Sequence, residues 1–171
     1  VMLSATVIFA AVLLFSLSRG VQPGKVEKVE RETRGVEDMF TVFDEKMGLV
    51  DSVFQSFRSR RQASVSRSGF SEARVQFEAS RGRVAGKLGE ARSKIVSLKP
   101  HLKERLEELS NMDKEYNRVV FDILNLYEQY HTGRIRSETF EKLVGKHEQR
   151  LRKAKEELRE DLDYLHEEVE K

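Results

Sequence analysis

Between residues 26 and 57, apolar residues recur every three or four positions, the spacing that keeps one face of a helix apolar. The members of this seam are Val26, Val29, Thr33, Val36, Phe40, Phe43, Met47, Val50, Phe54 and Phe57. Met39 and Val53 lie beside the seam and widen it, which favours a helix packed against two or more neighbours. The pattern therefore predicts a first long helix over about residues 25–58.

The same rhythm returns three times along the rest of the chain. A loop is predicted at 59–69, where Ser, Arg and Gly replace the periodic apolar residues. Further helices are predicted over about 70–98, 100–131 and 137–170, separated by Pro100 and by the Gly133 region. Ser137 is predicted to cap the last of them. The chain beyond residue 25 is thus predicted to consist of four helices of about 30 residues each.

The second predicted helix contains three glycines, Gly82, Gly86 and Gly89, within one stretch of eight residues. Each costs about 1 kcal/mol of helix propensity relative to alanine. Close packing against a neighbouring helix is the structural explanation we expect for them.

Four helices of similar length with short connections predict an all-α fold, an antiparallel coiled-coil or four-helix bundle about 45 Å long. In an up-down-up-down order, the 59–69 loop and the 131–136 turn share one end of the bundle. The Pro100 turn and the C-terminus share the other.

Residues 2–18 carry no charge and, as a helix, would extend about 25 Å, close to the thickness of a bilayer core. We predict a transmembrane signal anchor over 1–18, a hinge over 19–24 and a helical bundle over 25–171. Two alternatives remain open. A signal peptide cleaved near Ser18 would use the small residues Ser16 and Ser18, although no Lys or Arg precedes the run. A buried core helix is less favoured, because the Gly- and Pro-containing segment after residue 18 detaches this stretch from the rest.

Basic residues follow the apolar run, whereas none precedes it. Those nearest to the predicted span are Arg19, Lys25, Lys28, Arg31 and Arg34. Basic residues are enriched in cytoplasmic flanks, so we expect a single-pass membrane protein with the bulk of the chain in the cytoplasm. If the first segment is cleaved instead, the remainder is exported.

Composition removes several classes of protein. The 171 residues contain no Cys, which excludes disulfides, thiol chemistry and Cys-ligated metals within this sequence. Charged residues make up 35% of the chain and there is no Trp, a profile typical of long solvated helices that also leans towards thermophilic proteins.

No motif for catalysis is present in the sequence. His101, His131, His147 and His166 are scattered, without the i, i+4 pair and flanking Glu of a helical zinc site. The chain also lacks a phosphate-binding GxxxxGK[ST] loop and a GxSxG nucleophile motif. We predict no catalytic residues, no cofactor, no metal and no small-molecule substrate, and hence a protein that is not an enzyme.

Charge is distributed unevenly. Residues 58–99 hold eleven basic and three acidic side chains, a net charge of +8. One interpretation is that these cations pair with the acidic end of the last helix, within one bundle or across an oligomer. The other is a site for nucleic acid or another anionic partner, which is possible but not favoured because no aromatic residue interleaves with the arginines of the 59–69 loop. The candidate residues for that site are Arg58, Arg60, Arg61 and Arg67.

Residues 126–143, with the sequence LYEQYHTGRIRSETFEKL, resemble the helical hairpin of the short C-terminal (SHOCT) family. In that family a helix ends at Gly, an Ile follows, and a Ser or Thr caps the next helix before a Glu and an aromatic residue. Here the cap falls one position late. The resemblance implies self-association or protein interaction, with no active site.

We therefore expect a single-span membrane-anchored helical scaffold or tether for protein–protein interaction, without catalysis. One alternative is a module that binds nucleic acid or an anionic partner through the Arg-rich segment 58–99. Another is a stalk subunit of a larger membrane complex, because one anchor ahead of a coiled coil is similar in layout to the peripheral stalks of rotary ATPases. Glycines and Pro100 would interrupt a continuous stalk.

Overall fold

A computed structural model describes the backbone of residues 23–59 and 67–170, and the side chains of 37–59, 69–97 and 99–169. Within these ranges the chain forms four long helices and no strand. They are α1 (Pro23–Ser59), α2 (Arg67–Leu98), α3 (Lys103–His131) and α4 (Ser137–Glu170). A 3-10 turn, Pro100–Leu102, leads from α2 into α3. The predicted all-α class with four helices is confirmed.

The predicted membrane span 1–18, the cleavage site near Ser18 and hinge residues 19–22 lie outside the described residues. Helix α1 begins at Pro23, so Pro23 and Gly24 belong to its first turn. Proline suits that position because its missing N–H has no helical acceptor there. Within the described ranges, no helix has the length and apolar character needed to span a membrane.

Contacts between helices establish the order of the bundle. Along α1 and α2, Asp38 pairs with Lys87 at 3.3 Å, whereas the Phe57 and Phe70 ring centroids are 4.9 Å apart. As residue numbers rise on one helix they fall on the other, so α1 and α2 are antiparallel.

The other neighbouring pairs follow the same rule. Arg92 of α2 pairs with Glu107 of α3 at 2.5 Å, whereas Arg74 pairs with Glu128 at 2.8 Å. Between α3 and α4 the matching contacts are Arg150–Glu115 and Tyr130–Phe140, and between α4 and α1 they are Arg58–Glu148 and Phe40–His166. The four helices thus run up, down, up and down, as the loop lengths predict.

A cluster of aromatic rings lies near the end of the bundle where α1 and α3 finish. The Tyr127 ring lies 5.2 Å from that of Phe57 and 5.1 Å from that of Phe140, between centroids. Phe57 in turn contacts Phe70, so this aromatic cluster joins all four helices. Aromatic pairs of this kind contribute about 0.5–1.5 kcal/mol beyond the area they bury.

The apolar seam of α1 differs from its prediction at one turn. Met39, predicted to lie beside the seam, is fully buried, whereas Phe40 is only half-buried and packs edge-on against His166 of α4. The reason is that α1 contacts α2, α3 and α4, so its buried face is wider than one heptad seam.

Helix α3 ends as Gly133 predicts. Gly133 has a φ of 69°, in the left-handed region where a Cβ is disfavoured. The Arg134 N–H donates to Gln129 O and the Gly133 N–H donates to Tyr130 O, the two bonds of a Schellman motif.

The start of α4 differs slightly from its prediction. The Phe140 N–H donates to Arg136 O, so the first helical carbonyl belongs to Arg136. Ser137 is therefore the first residue of the helix, and the predicted cap at Ser137 is wrong by one position.

The expected close packing at the glycines of α2 is wrong. A Cβ placed on Gly82, Gly86 or Gly89 would meet no described atom outside the helix's own backbone within 4 Å. Gly82 and Gly86 are exposed, and no neighbouring helix requires their lack of a side chain.

Replacing Gly86 with alanine should raise the free energy of unfolding by about 0.5–1 kcal/mol, because alanine restricts the unfolded chain and meets no neighbour. Gly133→Ala is the matched control and should lower it by about 1 kcal/mol, since its φ is left-handed. Urea denaturation measures both. A loss of stability in Gly86→Ala would show that this glycine does have a packing role.

Candidate functional site

Of the four candidate anion-binding arginines, one has a described side chain. Arg58 lies at the end of α1 and donates to Glu148 of α4, and this hydrogen bond raises the pKa of its guanidinium. Arg60 and Arg61 lie outside the described residues, and Arg67 begins α2 with its side chain outside them. The site remains a prediction.

The helical part of the Arg-rich segment is held in ion pairs. Arg74 pairs with Glu128, Arg81 with Glu78 and Arg83 with Glu45, at 2.8–3.4 Å. The interpretation that these arginines pair within the bundle agrees with these contacts.

The sequence predicted that these cations pair with the acidic residues at the end of α4. For the three pairs just given, that prediction is wrong. Antiparallel packing brings α2 against α1 and α3, so carboxylates of those helices reach Arg83 and Arg74, whereas the partner of Arg81 is Glu78 of α2 itself. The end of α4 instead meets the turn before α3. There Lys99 donates to the Glu168 carbonyl, and the His101 ring lies 3.8 Å from the Glu168 carboxylate.

The four histidines are far apart in sequence and pack separately. His131 lies against Phe70, His166 against Phe40, and His147 lies 3.7 Å from Asp122. Burial lowers the pKa of His131. The described side chains include no group of three His, Cys, Asp or Glu placed to hold a metal ion.

A buried polar network that the sequence pattern did not predict crosses the core between α1 and α3. Lys46 is fully buried, and its ammonium pairs with Asp113. Asn117 Nδ2 donates to Asp113 Oδ2 at 3.0 Å, one helical turn further along. Buried charges are costly unless they are paired and hydrogen-bonded. Asp113 provides an ion pair for Lys46 and a hydrogen-bond acceptor for Asn117 Nδ2.

Two aromatic rings complete the surroundings of Lys46. Its Nζ lies 5.2 Å from the Tyr116 ring centroid and 5.7 Å from that of Phe43, within cation–π range. The Tyr116 hydroxyl has no hydrogen-bond partner among the described residues. Burial raises the pKa of Tyr116, and the carboxylates of Asp51 and Asp113 add to the effect.

Burial lowers the pKa of Lys46 below 10.5, and the attraction of Asp113 opposes this only in part. Between that lowered pKa and 10.5 the unfolded chain binds more protons than the folded chain, so the free energy of unfolding rises with pH. Wild type should therefore gain stability relative to Lys46→Met between pH 7 and pH 10. Urea denaturation of both proteins across that range measures the difference. A difference that falls with pH would contradict the burial of a charged Lys46.

A second buried carboxylate lies between α3 and α4. Asp161 is almost fully buried and pairs with Arg105, whose guanidinium lies 5.1 Å from the Tyr164 ring centroid. Burial raises the pKa of Asp161, and Arg105 opposes the shift. This ion pair links α3 to α4.

The buried network borders a cleft of about 470 Å³ between α2 and α3. Asp113 and Asn117 contribute its buried polar groups, and apolar side chains of Leu88, Leu106 and Phe121 also line it. Ala85 and Gly89 of α2 leave room for the opening because they are small. Clefts of this size are typical of small-molecule sites.

Four cations line the same cleft: Arg81, Arg92, Lys114 and Arg118. Asp113, which is already paired with Lys46, is the one carboxylate in the lining that the structure describes. Three of the cations also pair with carboxylates outside it, Arg81 with Glu78, Arg92 with Glu107 and Arg118 with Glu115. Lys114 donates to Asn111 and takes part in no ion pair with a described residue.

Weak signals for this site exist in the sequence. Lys46 interrupts the apolar surroundings of Phe43 and Met47, and Asp113 and Asn117 stand four residues apart on either side of Tyr116. A periodic pattern assigns such polar residues to the surface, which is why they were missed.

Comparison with known proteins adds no relative: no protein-family model, no curated protein and no solved structure matches this chain.

Proposed function

We propose that this protein is a helical scaffold or tether for protein–protein interaction, held at a membrane by a single N-terminal span and without catalysis. The observation that carries the proposal is the arrangement of the bundle ends. Helix α1 follows the uncharged run 2–18 and starts at the end of the bundle where α4 finishes. A span ahead of α1 would therefore present the bundle upright on the bilayer.

Under this proposal, antiparallel packing would put the two ends of the bundle at different distances from the membrane. Helix α1 ends, α2 begins and the 132–136 turn lies at the end opposite to the start of α1. The Pro100 turn would lie close to the bilayer, together with Glu168 near the C-terminus of α4. A partner would meet the bundle on its charged helix faces or at its far end.

The closed core supports a scaffold. The bundle buries its large apolar side chains between its own helices, and only Val75 and Tyr164 are large and exposed among the described hydrophobic residues. Over the side chains that the structure describes, the core is completed within one chain, so a partner there would bind a polar surface.

The nucleic-acid alternative receives less support. Most cations of segment 58–99 with described side chains are paired with neighbouring carboxylates, which reduces the positive electrostatic potential that a polyanion would meet.

The stalk alternative also receives less support, because the four helices fold back on one another. The turn between α3 and α4 keeps the order helix, Gly and helix of the SHOCT resemblance, and self-association through this hairpin remains part of the proposal.

Membrane attachment and orientation can be tested together because the chain has no Cys. We expect full-length Ser52→Cys, on an exposed position of α1, to sediment with membranes and to require detergent for release. A membrane-impermeant maleimide should label it only after the cells are permeabilised. Deletion of residues 1–18 should release the protein in soluble form. Recovery of the full-mass chain without detergent would overturn the anchor, and labelling of intact cells would overturn the orientation.

The scaffold role needs a separate measurement. A photo-crosslinking residue at Val75, exposed by 66%, should give one discrete adduct in cells. The adduct should disappear when unlabelled wild-type protein is co-expressed in excess. The same residue at Glu141, on an exposed position of α4, tests a second helix. Absence of competed adducts from every helix face would contradict a scaffold.

A further inference from the structure

We propose that the cleft between α2 and α3 binds a small organic anion that has an apolar body and an N–H or O–H donor at the end away from its charge. The inference is independent of the membrane anchor and of the scaffold role. It rests on three properties of the cleft, which are its cations, its apolar walls and one buried acceptor atom.

The buried acceptor is Asn117 Oδ1. The Asn117 side chain lines the cleft, and the residue is only 6% exposed. Its Nδ2 donates to Asp113, which fixes the amide orientation, and its Oδ1 has no hydrogen-bond partner within the described part of the chain. A buried acceptor without a donor is unfavourable by about 1–3 kcal/mol, so a ligand that supplies an N–H or O–H would gain affinity there.

The cations indicate the charge of the ligand. Arg81 and Arg92 of α2 face Lys114 and Arg118 of α3 across the cleft. Their pairs with outside carboxylates involve half-exposed side chains, and such pairs contribute only about 0.2–1 kcal/mol each. A bound carboxylate or phosphate can therefore compete for these groups, and Lys114 has no carboxylate to give up among the described residues.

The walls indicate the body of the ligand. Leu88, Leu106 and Phe121 provide apolar surface in the same lining as the cations and the buried amide. The guanidinium of Arg81 lies 5.7 Å from the Phe121 ring centroid, so a cation of α2 packs on an aromatic ring of α3 within this lining. A flat aromatic ligand that carries a negative charge at one end and a donor at the other would use all three features of this lining.

A suitable probe is 6-amino-2-naphthoate, a fluorescent aromatic anion whose amine and carboxylate lie at opposite ends. We expect the full chain in detergent to bind it at one site with a Kd of about 1 mM or below. The analogue 2-naphthoate lacks the donor and should bind about threefold more weakly or worse. The analogue 2-naphthylamine lacks the charge and should bind at least about tenfold more weakly, and added salt should weaken binding of the anions alone.

Variants connect that binding to the cleft. Ala85→Phe should abolish binding because the ring fills the opening, whereas Ala79→Phe, an exposed site on the same helix outside the cleft, should leave it unchanged. Lys114→Gln should weaken binding about three- to fivefold, with Lys142→Gln on exposed α4 surface as its control. All four replacements are at surface positions, and far-ultraviolet circular dichroism checks that each folds.

The proposal is overturned by any of three outcomes. These are no saturable binding up to several millimolar probe, equal affinity for the probe and 2-naphthoate, and binding that survives Ala85→Phe. The first would mean that the cleft holds only water.

Discussion

Replacing Asp113 with alanine is expected to lower the free energy of unfolding by about 3–5 kcal/mol. The variant leaves the fully buried Lys46 ammonium without its carboxylate and removes the acceptor of Asn117. An uncompensated charge in a core is much more costly than a missing contact. Urea denaturation followed by circular dichroism measures the effect.

Two controls separate the stability effect of burying a charge from the effect of losing an ion pair. Asp38 makes a surface pair with Lys87 across the same bundle, and Asp38→Ala should cost less than about 1 kcal/mol. The double variant Lys46→Met with Asp113→Leu removes both charges and should recover most of the lost stability, because apolar side chains of similar volume suit a core. A double variant as unstable as Asp113→Ala would contradict the account of this pair.

Replacing Tyr127 with alanine is expected to lower the free energy of unfolding by about 3–5 kcal/mol. Its ring is almost fully buried and contacts Phe54, Phe57 and Phe140, so the change leaves a cavity where four helices meet. Thermal and urea denaturation both report the loss.

The matched control is Tyr164, an α4 tyrosine exposed by 44%. Tyr164→Ala should cost less than about 1 kcal/mol, since it removes one ring over Arg105 and leaves no cavity. Similar losses at Tyr127 and Tyr164 would show that the aromatic cluster does not carry the stability assigned to it.

The positions of the helices could be read from the sequence because burial follows helical periodicity. Phe70, Phe77, Val84 and Ala91 recur every seven residues and are buried residues of α2. Gly133 marks the end of α3 through its backbone conformation. These signals are local, so a single sequence contains them.

Features that depend on how helices face one another could not be read in the same way. Lys46 and Asp113 are 67 residues apart and are buried only because each compensates the charge of the other. The cleft depends on the separation of α2 and α3 beside Ala85 and Gly89, which no periodic pattern specifies. The partners of the arginines likewise follow from which helices are neighbours.

The folded-back order of α1 to α4 is the central claim, and the distance between the first and last helices tests it most directly. Because the chain has no Cys, spin labels at Glu37→Cys and Glu167→Cys, both exposed, mark one position on α1 and one on α4. Dilution with excess unlabelled chain restricts the double electron–electron resonance signal to distances within one molecule. Since Phe40 contacts His166, we expect a distance below about 30 Å. A continuous stalk would separate the labels by nearly 200 Å at about 1.5 Å per residue, and the absence of any measurable distance would contradict the bundle.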